Sequence, residues 1–136
     1  MANDAGSDIN TLTYLQAAYT QEYQAVLEAI TSQLAATESI AKSREFLEHL
    51  PELYGKKTFA ANGVLLYDTT IDKSEKVAVY VGAGYFVEKG IDEAKSFLDA
   101  LAKENDETLR RLYEEKQLIE KELTKIGYQI AKLQKG

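Results

Sequence analysis

The chain has 136 residues, of which 45% are hydrophobic and 28% charged, so it has the composition of one ordered domain. Its formal charge of −6 and pI near 4.9 argue against a phosphate-backbone binder, which needs a basic surface. The absence of cysteine excludes disulfides, Cys-ligated zinc and cysteine nucleophiles.

The first element in chain order is a long helix, expected from about Asp8 to Leu50, with Ser7 or Asp8 as N-cap. Leu12, Tyr19, Val26, Gln33, Ile40 and Leu47 recur at a step of seven, and Gln16, Tyr23, Ile30, Thr37 and Arg44 form a second column. Such a repeat over about five heptads predicts a left-handed coiled coil. Pro51 is expected to stop the helix, because the residue before a proline avoids the helical region.

Residues 56–89 read as strands and tight turns. Lys57–Ala61, the dipeptide Asn62-Gly63 and Val64–Ile71 predict a first hairpin, Asn-Gly being a strong two-residue turn signal. Val77, Val79 and Val81 alternate with Ala78 and Tyr80 and predict a strand with one valine face. Gly82-Ala83-Gly84 then turns the chain into Tyr85–Lys89 as a second hairpin. Four strands with open edges invite pairing with another chain.

The second helix is expected at about 91–135. Ile91, Leu98, Asn105, Leu112, Ile119, Ile126 and Leu133 form one column, and Ala102, Leu109, Lys116, Leu123 and Ile130 its partner. Asn105 and Lys116 interrupt it. A seam Asn fixes register at some cost in stability, whereas Lys116 is read as leaning out to solvent. At 1.5 Å per residue each helix would be a rod of roughly 60 Å. Two such rods joined through one β block predict an α+β chain, a long antiparallel two-helix coiled coil joined by two β-hairpins. Both chain ends would then lie at one tip.

No motif supports catalysis. Gly82-Ala83-Gly84 lacks the third glycine and following helix of a dinucleotide fingerprint. His49, the one histidine, stands at a helix end, where a capping or solvated role outweighs a catalytic one. The chain is therefore read as a non-enzyme, with no catalytic residue, no metal ligands and no cofactor. No apolar run approaches the roughly 20 residues of a membrane span, and Met1–Ser7 lacks a signal-peptide pattern, so the cytoplasm is the expected location.

Tyr14, Tyr19 and Tyr23 near one chain end and Tyr128 near the other would gather at the same tip. Tyr19 and Tyr23 fit the seam, whereas Tyr14, Leu15 and Tyr128 do not, and exposed apolar groups mark binding surface.

The order helix, two hairpins, helix in this length resembles the α-type subunit of the archaeal-type prefoldin family. Val79-Tyr80-Val81-Gly82-Ala83-Gly84-Tyr85-Phe86-Val87-Glu88-Lys89, followed by Ile91-Asp92-Glu93-Ala94, carries the most specific part of the likeness. The first hairpin departs from the family's usual Pro and Gly-x-Gly turn. The resemblance implies one domain over residues 1–136. It implies a hetero-hexamer of two α-type and four β-type subunits, whose hairpins form an inter-subunit β-barrel platform. It also implies an ATP-independent holdase that passes unfolded clients to a group II chaperonin, with no nucleic acid and no membrane as partner. Clients are then expected at Leu12, Tyr14, Leu15, Tyr19, Ile126, Tyr128, Ile130 and Leu133. Assembly is expected to use Val77, Val79, Val81, Gly82, Gly84 and Phe86. The competing reading is a structural coiled-coil adaptor or filament-forming scaffold that uses the β block only to assemble.

Overall fold

The computed structural model describes residues 2–62 and 64–135, with side chains at 6–57 and 64–135. The order is α1 (Ala2–Leu53), β1 (Lys57–Asn62), β2 (Leu65–Thr70), β3 (Lys76–Gly82), β4 (Tyr85–Gly90) and α2 (Ile91–Lys135). The architecture is α+β, with two long helices and two antiparallel strand pairs. The chain forms two compact units, residues 1–36 with 105–136, and residues 37–104.

In the first unit the predicted columns meet. Val26, Ile30, Leu109 and Ile119 form a buried cluster, with Tyr19, Tyr23, Leu112 and Leu123 packed against it. Tyr23 OH donates to Glu120 Oε1 at 3.1 Å, and Asn105 Nδ2 donates to the Gln33 carbonyl at 3.2 Å. Advancing from Tyr23 to Gln33 on α1 thus means retreating from Glu120 to Asn105 on α2, so the helices run antiparallel. Thr11, Thr13, Thr20 and Thr31 each donate a hydroxyl hydrogen bond to the carbonyl four residues back, so these β-branched residues sit within α1 without an idle donor.

The second unit has its own core of Leu47, Leu50, Ala94 and Leu98. Ile40, Tyr54, Ile71, Val77, Val79, Ile91 and Phe97 pack against it. Arg44 Nε donates to Asp99 Oδ1 at 2.9 Å, and Lys95 Nζ lies 3.5 Å from Glu48 Oε1, again an antiparallel pairing.

Helix α1 departs from expectation at both ends. Ser7 and Asp8 lie inside it and cap nothing. Pro51 does not stop it, and the helix runs on to Leu53. A proline in the last turn forfeits one N–H bond but leaves few residues beyond it to disturb. The effective stop is Gly55, whose φ of +74° turns the backbone left-handed at low steric cost. Its N–H leaves the helix and bonds the Ile71 carbonyl at 2.9 Å, while Lys56 N–H returns to the Leu53 carbonyl at 3.1 Å.

The hairpins form two separate two-stranded sheets, β1–β2 and β3–β4. In the first, Lys57 pairs with Thr70 and Asn62 with Leu65. Gly63, half of the expected Asn-Gly turn, lies outside the described residues. In the second, Lys76 pairs with Gly90 and Tyr80 with Phe86. The segment between the hairpins is tied down by Tyr54 OH to the Ser74 carbonyl, 2.9 Å, and by Ile91 N–H to the Glu75 carbonyl, 3.3 Å.

Candidate interaction surfaces

The strand pair β3–β4 offers two different faces. Val77 and Val79 are half-buried and pack toward the Leu47–Leu98 core. Lys89, the cross-strand partner of Val77, lies on the same face, its Nζ 5.4 Å from the Phe97 ring centroid. The opposite face carries Tyr80 and Phe86, paired across the strands with ring centroids 5.2 Å apart in an edge-on arrangement. Both are exposed, Phe86 at 65%.

Val81 was expected beside Val77 and Val79, and the structure corrects this. Pairing passes from Tyr80↔Phe86 to Gly82↔Tyr85, so Val81 is an extra residue on β3, a β-bulge. The bulge breaks the two-residue alternation, and Val81 is 46% exposed. The turn that follows puts Gly82, Ala83 and Gly84 at φ of +110°, +52° and +81°. Glycine suits two of these positions, and Ala83 holds a left-handed conformation uncommon for a residue with a Cβ. Gly84 N–H donates to Tyr80 OH at 3.2 Å, pinning the turn to the exposed aromatic pair.

The first hairpin is apolar on its surface too, with Val64, Leu65, Leu66 and Tyr67 all exposed. Large apolar groups left uncovered on short strands with free edges are surface for another chain. A groove of about 780 Å³ runs beside β3, bordered by Phe46, Val79, Tyr80, Phe86, Phe97 and Leu101.

The proposed client residues fall in the first unit and divide by exposure. Tyr14 is 75% exposed and Tyr128 74%, and Leu15 is also exposed. Leu12, Ile130 and Leu133 are half-buried, and Tyr19 packs on the Val26 cluster. Ile126 is buried, so it serves the seam and offers no surface to a client. Of the eight, the exposed side chains are therefore Tyr14, Leu15 and Tyr128.

Two charge clusters escaped the sequence reading. Arg44 bonds both Asp99 and Glu48, and Lys95 approaches Glu48 from the other helix. The Arg44 hydrogen bond, then the Lys95 charge, holds the Glu48 carboxyl below the usual carboxylate range. Lys116, 3.2 Å from Glu120 Oε1, similarly lowers that carboxyl, with the Tyr23 hydroxyl adding to the effect. The Arg44/Glu48 and Lys116/Glu120 spacings of four residues were the available signal. Among the described residues no group of three or more His, Cys, Asp or Glu side chains is placed to hold a metal ion, and no helix is long and apolar enough to cross a membrane.

Antiparallel helices joined by two hairpins with exposed apolar strands define a coiled-coil subunit with surfaces suited to joining other chains. The chain belongs to the prefoldin family, whose subunit model matches residues 18–136. It is 33% identical over 122 residues to the prefoldin subunit alpha of Methanocorpusculum labreanum, covering 80% of this chain and 83% of that one. Against the prefoldin subunit alpha of Pyrococcus horikoshii it is 36% identical over 102 residues, covering 66% and 68%. A filamentous prefoldin from Methanocaldococcus jannaschii, solved by cryo-electron microscopy, shares the fold at a TM-score of 0.67 and 23% identity. That match covers 90% of this chain and 98% of the other. The family is one of chaperones rather than enzymes, and its subunits assemble with one another into oligomers.

Proposed function

We propose that this chain is an α-type subunit of a cytoplasmic, ATP-independent holdase. It joins β-type subunits, two α with four β, through its hairpins, binds unfolded polypeptides near the ends of its helices, and passes them to a group II chaperonin. The observation that carries the reading is the exposure of Tyr14, Leu15 and Tyr128 outside a seam that is otherwise well filled. An unfolded chain offers scattered apolar side chains with no fixed shape. Exposed aromatic and aliphatic groups meet such a ligand by many weak contacts, and several copies in one assembly raise the effective concentration.

The hairpins supply the means of assembly in this reading. Phe86, Tyr80 and Val81 on β3–β4, with Leu65 and Leu66 on β2, are the apolar groups a neighbouring chain would cover. Val77, Val79, Gly82 and Gly84 hold the second hairpin in the shape that presents them. Co-expression with β-type subunits followed by native mass spectrometry tests assembly. Light scattering of a denatured protein diluted into the purified complex tests holding. A complex of the stated stoichiometry that suppresses aggregation without nucleotide supports the proposal.

The alternative, a filament-forming or scaffold subunit without client binding, draws on the filamentous state of the M. jannaschii structure. Polymerisation of the purified chain without suppression of aggregation would favour it.

A further inference from the structure

The last stretch of α2 carries a charge pattern unlike the rest of the chain. Residues 123–136 contain three lysines and no acidic residue, in a protein whose net charge is −6. The α1 part of the same unit has no basic residue at all, the first in the chain being Lys42. Lysines here are also arranged. Leu118, Lys121, Lys125, Tyr128, Lys132 and Lys135 follow one another at steps of three or four. At 3.6 residues per turn they share an arc of about 100°, turned away from the seam of Ile119, Ile126 and Leu133. All six are exposed, Leu118 at 63%. No acidic residue falls on this arc between Leu118 and Lys135.

Ordinary roles account for only part of the pattern. The helix dipole favours Lys132 and Lys135 in the last turn but does not reach Lys121 or Lys125. A solvated, self-neutralising helix face would pair its lysines, as Lys116 pairs with Glu120. Among the described residues none of these four makes an ion pair. Tyr128 stands between Lys125 and Lys132, and Leu118 lies one turn before Lys121, on the same open face. Its charge complement is an extended peptide with carboxylates spaced among apolar residues.

We propose that this stripe is a selectivity surface for unfolded segments in which Asp or Glu is interspersed with apolar residues. Leu118 and Tyr128 supply apolar contact, and Lys121, Lys125, Lys132 and Lys135 supply charge. The inference rests on the holdase reading above and names its preferred substrate class. Lysine suits the task, since its flexible stem follows a ligand of no fixed shape and covers apolar surface with its methylenes.

Three labelled, unstructured peptides with identical apolar residues test the proposal, their intervening positions filled by Glu, Ser or Lys. Fluorescence anisotropy with the full-length chain in its assembly measures each affinity at low and high salt. The Glu peptide should bind about fivefold or more tightly than the Ser peptide at low salt, with the Lys peptide weakest. The order should collapse at about 1 M salt, where the screening length is about 3 Å. A quadruple variant, Lys121→Gln, Lys125→Gln, Lys132→Gln and Lys135→Gln, keeps helix propensity. It should bind all three peptides alike, the preference for the Glu peptide being lost. Equal wild-type affinity for the three peptides would overturn the selectivity and leave the holdase reading standing. Binding of none of them would overturn both. A changed assembly mass in the Gln variant would also overturn the proposal, by making the stripe a subunit contact.

Discussion

Asn105 donates its side-chain amide to the backbone carbonyl of Gln33, 3.2 Å away, within the seam between α1 and α2. Asn105 is buried, at a position where the α2 column otherwise carries mostly apolar side chains. A shift of α2 by one heptad would bring an apolar residue to this carbonyl and move the amide against apolar neighbours. The bond therefore favours one register over its near alternatives.

Asn105→Ala should lower unfolding stability by about 1–3 kcal/mol, the cost of losing a buried polar contact. Asn105→Leu should restore stability but loosen register. With cysteines at positions 23 and 120, which face each other through the Tyr23–Glu120 bond, cross-linking yield should fall in the Leu variant. Undiminished yield would show that the apolar columns alone set the pairing.

The two faces of β3–β4 predict different failures. Val79→Asp puts a charge against the core of Leu47, Leu50, Ala94 and Leu98 and should destabilise the chain itself, seen by circular dichroism in the absence of partners. Phe86→Asp alters an exposed position and should leave the chain's helicity unchanged while reducing the mass of the assembly. If Phe86→Asp assembled normally, the aromatic face would not be an interface.

Much of this was legible in the sequence, because heptad columns report burial directly. The seam residues Val26, Ile30, Leu109 and Ile119 follow from spacing alone. Lys116, expected to lean out to solvent, stays half-buried and pairs with Glu120. The ends of α1 were less legible. Pro51 is a strong local signal, yet the stop depends on Gly55 and on a carbonyl sixteen residues further along. Val81 was misplaced because a bulge depends on cross-strand pairing that periodicity within one strand does not reveal. Ile126 and Tyr128 are two residues apart and were grouped as one surface, although a two-residue step on a helix turns about 200°.

The Arg44–Glu48–Lys95 cluster predicts a pH dependence. The Glu48 carboxyl is held below its unfolded value, so its contribution is present above the ordinary carboxylate pKa and is lost as pH falls through the lowered folded value. Glu48→Gln should flatten the acid limb of the stability curve slightly and leave neutral-pH behaviour nearly unchanged, since the Glu48 carboxyl is exposed to solvent. Denaturant titrations from neutral pH into the acid range would show it. An unchanged acid limb would remove Glu48 from the account.

Gly127 interrupts the last turns of α2, and a Cβ there would meet nothing within 4 Å. Gly127→Ala should therefore stabilise the helix by roughly 1 kcal/mol. Hydrogen exchange of amides around 123–132 should slow accordingly. Faster exchange would mean that the glycine relieves a strain not visible in its surroundings.

The central claim is that the chain holds unfolded polypeptides through the apolar groups left outside its seam. The most direct measurement is suppression of aggregation by an assembly carrying Tyr14→Ser, Leu15→Ser and Tyr128→Ser together. These exposed positions contribute little to folding, so native mass spectrometry should give the wild-type subunit composition. The account predicts that light scattering from a diluted, denatured protein then rises toward the level seen with no chaperone. Single substitutions should produce graded, partial losses. Full protection by the triple variant, at the same mass and concentration, would contradict the claim and send the search for the client site to other surfaces of the chain.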